Sequence, residues 1–254
     1  IKKGRFCRPF LYLILKKLSH QIMSDLPKAE GIKQTSRVAI VSVLLILFAL
    51  PLLTYLFFLN GEHHFKTLPI VTEKVSELTA FKTLEGKSIH LTDSVSIITF
   101  LGDKPYSRLG YVSNINEKIY KDFHQFDGFQ MISILPQEGI QDIEEIKAQM
   151  AETTDLADWH FLVGSEDEIK ELFLSFQSDL SLNSDLSSEH AFVVDKQLSL
   201  RGRSDDEELG IVYGYDTYLI ANLNKRMMDD MRVLLAEYRF AFKKNRDEKI
   251  QKDE

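Results

Sequence analysis

Cysteine is nearly absent: the 254-residue chain has one, Cys7. Everything beyond it therefore lacks disulfides, dithiol redox chemistry, thiolate metal ligation and cysteine nucleophiles. No GxSxG, Walker, HExxH or dinucleotide fingerprint occurs either, and no internal repeat or low-complexity tract is present. Also lacking is a basic patch with interleaved aromatics. From residue 38 onward 22 Lys/Arg face 36 Asp/Glu, a balance of −14. A chain that acidic repels nucleic acid. With no thiol and no catalytic constellation, the sequence reads as a non-enzyme.

What is present is a long apolar run. Residues 38–59, VAIVSVLLILFALPLLTYLFFL, carry no charge. At about 1.5 Å per residue this run spans the roughly 30 Å hydrocarbon core of a bilayer. Pro51 is expected to kink the helix, and Tyr55 suits the outer interface. The 37 residues before the run hold nine Lys/Arg against Asp25 and Glu30, while Glu62, His63 and His64 follow it. The positive-inside bias predicts a single-pass protein of the inner (cytoplasmic) membrane, N-terminus inside, with its C-terminal domain in the periplasm or outside. The run is too long for a cleaved signal peptide, and no small-residue cleavage site follows. The chain begins with Ile, and Met23 is its first Met. Residues 1–22 are accordingly expected to be upstream read-through or fragment sequence, which leaves Cys7 without a role.

The remaining chain alternates strand and helix patterns. ELTAFKTLEGKSIHLTD predicts a hairpin turning at Glu85-Gly86. VSIITFLG (95–102) and FQMISILP (129–136) are apolar runs expected for strands buried on both faces. Leu109, Val112, Ile115, Ile119 and Phe123 form a helical stripe, and Ile140, Ile143, Ile146 and Met150 another. WHFLVG (159–164) is a third strand. Ser165 with Glu168 makes a capping box for a helix buried through Ile169, Leu172, Phe173 and Phe176. AFVVD and LSLRG flank Lys196-Gln197 as a β-hairpin. A long helix from about Asn222 to Lys244 closes the domain, with Met227 and Met231 on its core stripe rather than in a methionine box. The fold class this order predicts is α/β and thioredoxin-like: a mostly parallel sheet with a terminal antiparallel hairpin, preceded by one transmembrane helix. The expected organisation is a cytoplasmic segment 1–37, the membrane helix 38–59, a juxtamembrane linker 60–77, the α/β domain 78–242 and a charged tail 243–254.

From about Leu78 to Tyr238 the chain resembles the SCO/SenC family, membrane-anchored thioredoxin-like proteins that deliver copper during cytochrome c oxidase assembly. FKTLEGKSIHLTD is similar to the family's opening hairpin and VSIITFLG to the strand entering its active loop. WHFLVGSEDEIKEL resembles its tryptophan-strand-helix segment, SSEHAFVVDKQLSLRG the hairpin after its metal-binding histidine, and MMDDMRVLLAEY its final helix. The family's Cys-x-x-x-Cys motif should fall just after Phe100, where this chain reads LGDKPYSRLG. Both cysteines are missing. Ser187 stands at the family histidine's position, with His190 three residues later. Copper(I) favours soft thiolate and thioether ligands, so the resemblance implies a degenerate member that keeps a docking role without the chemistry.

Candidate site residues follow from both readings. His190 is the candidate metal ligand, for copper held through histidine, methionine or carboxylate groups in place of cysteine; no cofactor is otherwise expected. Asp103 and Lys104 mark a remnant active loop after the first buried strand. RGRSDDEELGIVYGYD offers Asp205, Asp206, Tyr213 and Tyr215 as a partner-docking surface. Expected partners are a membrane, crossed once, and a protein of respiratory oxidase assembly. His63 and His64 read as a polar interface flank, and His160, between Trp159 and Phe161, as a structural histidine.

Overall fold

The structure, a computed structural model, describes residues 36–59 and 67–239. Cys7, Met23, His63, His64 and the tail 243–254 lie outside the described residues. The chain divides into two units, taken in turn.

The first holds α1 (Arg37–Leu59), 23 residues with Pro51 inside. At about 1.5 Å per residue it is roughly 34 Å long. It is long and apolar enough to cross a membrane. Its hydroxyls turn back on the helix: Ser42 Oγ donates to the Val38 carbonyl at 2.9 Å, and Thr54 Oγ1 to the Leu50 carbonyl at 2.8 Å. Neither is then left bare in an apolar medium.

The second unit is built on one mixed sheet. Its strands are β1 (Ile70–Thr72), β2 (Lys82–Thr83), β3 (Val95–Phe100), β4 (Phe129–Leu135), β5 (Trp159–Val163), β6 (His190–Val194) and β7 (Leu200–Arg201). Their order in the sheet is β1-β7-β6-β3-β4-β5-β2. The β3, β4 and β5 strands run parallel, joined by helices; β6 lies antiparallel to β3, and β7 antiparallel to β6. A parallel β-α-β-α-β run followed by an antiparallel hairpin and a closing helix is a thioredoxin-like arrangement, as the sequence predicts. A separate hairpin, β8 (Arg203–Asp206) and β9 (Gly210–Val212), follows, and β10 (Tyr215–Asp216) returns to pair with β6.

Every residue of β3 and β4 is buried, and their side chains alternate between two cores. Ile97, Met131, Trp159 and Phe161 face one side with α2 (Leu109–Ile115), α3 (Ile143–Ala151) and Met227 and Met231 of the closing helix. Ile98, Phe100, Ile132 and Leu162 face the other, against α4 (Glu166–Ser175). On that side Phe100 meets Phe173 edge-on at 5.3 Å and Phe192 at 6.0 Å. The Ser165–Glu168 capping box forms in full. The methionines are core, as their helical spacing requires.

Two expectations need correction. Residues 60–77 are not all linker: β1 pairs antiparallel with β7, and Leu68 and Val75 are buried, because the edge of the terminal hairpin needs a covering strand. The opening hairpin is only half formed. The turn is present, with the Thr83 amide donating to the Lys87 carbonyl at 2.9 Å, but β2 pairs with β5 and residues 87–90 form no strand. The helical stripe from Leu109 to Phe123 holds: Val112, Ile115 and Ile119 are buried, Leu109 and Phe123 pack half-buried against the same core, and fully buried Tyr120 joins them. A π turn at Asn116–Tyr120 lengthens one turn of the stripe, and both Ile119 and Tyr120 are buried in it.

Candidate functional site

The parallel strands end together, and the loop after β3 lies at the point where the sheet changes direction, with β4 on one side and β6 on the other. In open α/β sheets this crevice beyond the strand ends is where ligands bind. Gly102 makes the exit. Its φ is 73°, and a Cβ there would lie 2.6 Å from the Asp185 carbonyl, so the position accepts only glycine. Two further contacts bind the 183–189 segment to the strand end: the Asp103 amide donates to the Asp185 carbonyl at 3.0 Å, and the Ser188 amide to the Phe100 carbonyl at 3.0 Å.

Into this junction the turn Pro105–Arg108 delivers one guanidinium. Arg108 Nη2 donates to Ser187 Oγ at 2.7 Å. Asn183 Nδ2 donates to the same oxygen at 3.1 Å, and the Ser187 hydroxyl donates to Asp185 Oδ1 at 2.5 Å. Arg108 also lies 3.6 Å from both the Asp185 and the Glu189 carboxylates. Burial by itself would raise the Asp185 carboxyl; the Ser187 hydroxyl and amide and the Arg108 charge outweigh it and hold the group below its ordinary value. Ser187 is fully buried and its hydroxyl is saturated, with one bond given and two received. It locks the loop after β3 to the segment before β6. Arg108 itself lies over the Tyr111 ring at 5.4 Å, and Tyr111 stands 5.7 Å from Tyr218.

The predicted loop residues sit beside this lock. Asp103 is half-buried, and its Oδ1 is buried without a hydrogen-bond partner among the described residues. Lys104 is exposed. His190 opens β6, half-buried, opposite Asp216 of β10. Burial pushes its imidazole below the usual histidine value, against the pull of Asp216, Glu189 and Asp179. Among the described residues no group of three or more His, Cys, Asp or Glu could hold a metal ion. His160 is half-buried in β5, and burial lowers its imidazole in the same way.

The predicted docking surface is largely internal. Tyr215 is 2% exposed and its hydroxyl donates to Asp230 Oδ2 at 2.8 Å. The Asp206 carboxylate accepts from Arg226 Nε at 3.0 Å and from Arg203 Nη1 at 3.1 Å. Tyr213 is half-buried against the second core; of the four, only Asp205 is exposed. The reason is that the β8–β9 hairpin folds down onto the closing helix, where its carboxylates meet Arg226. Sequence reading missed Arg108, Asp185 and their joint hold on Ser187. A lone arginine closing the turn after a buried strand was the available signal.

No family model matches the chain, and no curated protein matches it. Solved structures do. BsSco, a member of the Sco family of cytochrome c oxidase assembly proteins, matches at 15% identity and TM-score 0.46, over 67% of this chain and 95% of that one. The chain is similar to Sco proteins. Arabidopsis thaliana ScoI with copper bound matches at 15% identity and TM-score 0.39, over 62% of this chain and 97% of that one. The thioredoxin domain of a thiol-disulfide oxidoreductase from Bacteroides vulgatus matches at 13% and 0.35, over 55% and 86%. At these identities and scores the likeness assigns no residue a role, and the fold stands on the strand order alone.

Proposed function

We propose that this chain is a single-span membrane protein whose outer thioredoxin-like domain works by binding a protein partner, without thiol chemistry, in the assembly of respiratory cytochrome oxidase. The observation that carries the reading is the Arg108–Ser187–Asp185 lock. It fills with hydrogen bonds the junction where the resembling family keeps its cysteines and histidine. A hydrogen-bonded guanidinium there offers a soft metal ion no ligand, which supports a role without thiol chemistry. The anchor reading draws on α1 and on the basic residues before it, which favour an N-terminus inside. The oxidase assignment draws on the resemblance.

Two measurements test this. In a deletion strain, assembled cytochrome oxidase should fall while other respiratory complexes hold; unchanged oxidase would sink the assembly role. A photocrosslinking amino acid at position 218 of the full chain should trap a defined protein in intact membranes. The same probe at position 174, exposed on α4, should not.

A further inference from the structure

The lock sits between two surfaces that differ in character. On one side lies a cavity of about 420 Å³ lined by Asp103, Glu138, Glu166 and Asp185. Asp185 has Arg108 at 3.6 Å and Glu166 pairs with Lys170, so Asp103 and Glu138 carry its open negative charge. A carboxylate oxygen buried without a partner is costly, and Asp103 Oδ1 is one. On the other side, past Arg108 and Tyr111, Tyr218, Leu219 and Ile220 stand 63%, 49% and 44% exposed in succession. The loop that carries them is fixed: Asn114 Nδ2 donates to the Thr217 and Tyr218 carbonyls at 3.0 and 3.1 Å. Arg108 links the two surfaces, 3.6 Å from Asp185 on the acidic side and 5.4 Å over the Tyr111 ring, which stands 5.7 Å from Tyr218 on the apolar side.

We infer that this face binds a basic, apolar segment of a partner protein, with a lysine or arginine entering the recess at Asp103 and aliphatic or aromatic side chains resting on Tyr218, Leu219 and Ile220. The inference rests on the contact-based reading above and adds the chemistry of the partner. Charge decides among occupants. Anionic lipid and nucleic acid are repelled by the recess, and so is a second copy of a domain that carries −14 from residue 38 onward.

The test uses the full chain in nonionic detergent, with empty micelles as blank. The probe is a fluorescent twelve-residue peptide of alternating Lys and Leu, followed by anisotropy. Glu-Leu and Lys-Ser peptides of the same length serve as controls. The Lys-Leu peptide should bind at least about tenfold tighter than either control, because both parts of the surface are used. Asp103→Asn and Tyr218→Ser should each weaken it at least about fivefold. Glu207→Gln, which removes the same charge from the β8–β9 hairpin, should leave binding unchanged. Equal binding of the Glu-Leu peptide, or an Asp103→Asn protein that binds like wild type, overturns the inference. So does a Glu207→Gln protein weakened as much as Asp103→Asn. If the peptide arm fails while the probe at position 218 still traps a partner, the assigned chemistry is wrong and the contact-based reading stands. Failure of both overturns both.

Discussion

Arg108 and Ser187 lie 79 residues apart in sequence and 2.7 Å apart in the fold. Their bond ties the loop leaving β3 to the segment entering β6, the two loops that frame the crevice of the sheet. The first prediction concerns that tie. Arg108→Met should destabilise the domain by about 2 kcal/mol, the range of a hydrogen bond to a charged group, because it also strips Asp185 of its nearby cation. Urea unfolding followed by near-ultraviolet circular dichroism measures it. A change below about 0.5 kcal/mol would mean the lock is decoration.

Gly102 and Gly86 separate backbone strain from collision. Both have positive φ, 73° and 81°, but a Cβ at Gly86 meets nothing within 4 Å while one at Gly102 meets the Asp185 carbonyl. Gly86→Ala should therefore cost about 1 kcal/mol from conformation alone. Gly102→Ala should cost at least about 2 kcal/mol, since the 183–189 segment must also move. Equal losses in thermal unfolding would contradict the close approach.

Asp195 and Arg201 form a buried pair across the β6–β7 hairpin, Oδ2 to Nη1 at 2.9 Å, with side chains 1% and 5% exposed. Asp195→Ala should cost about 3 kcal/mol, because it takes the buried carboxylate from Arg201 and leaves the guanidinium only the half-buried Glu237 carboxylate at 2.6 Å and the Leu68 carbonyl at 2.9 Å. Asp195 Oδ1 also accepts the Ser199 amide, so the turn loosens as well. Adding Arg201→Met should restore part of the loss, read from a double-mutant cycle. A strictly additive cycle would show that the two charges are not coupled.

Asp206 makes acid stability measurable. Hydrogen bonds from Arg226 hold its carboxyl far below the ordinary value, against burial and with help from the Glu208 and Leu209 amides and from Arg203. A carboxyl depressed in the fold stabilises above its unfolded value of about 3.9, and that stability drains away as pH falls toward the folded value. Asp206→Asn should start less stable at pH 7 and lose less than wild type between about pH 4 and pH 2. Parallel stability curves over that window would show that the Asp206–Arg226 pairing does not stabilise the fold.

Copper distinguishes the docking reading from a carrier reading that uses His190 with Asp216 beside it. Titrating the full chain with Cu(I) and Cu(II) separately, under chelator competition, should give no stoichiometric site. His190→Ala should bind as wild type does. A one-to-one site that His190→Ala abolishes would favour the carrier.

Much of this was legible in the residues. VSIITF and FQMISIL read as strands buried on both faces because they are short, nearly continuous apolar runs rich in β-branched residues. Ser165 and Glu168 announce a helix start through their own hydrogen-bonding capacity. Met227 and Met231 declare a core by spacing. The reading failed where a partner strand or helix had to be known. KTLEGKSI looks like a hairpin locally, yet β2 finds its partner in β5, because edge pairing is decided by which strand arrives there. Asp206 and Tyr215 look like surface on a polar loop, and only the packing of that loop on the closing helix buries them.

The sequence by itself determined the apolar span, the lack of thiols beyond residue 7, the acidic balance and the alternation of elements, because composition and periodicity are local properties. Tertiary structure alone decided what fills the crevice. Arg108, Asp185 and Ser187 carry no motif, and their meeting depends on where β3 and β6 end relative to each other. Hydrogen bonds between loops are made by distance in space, which linear order does not contain.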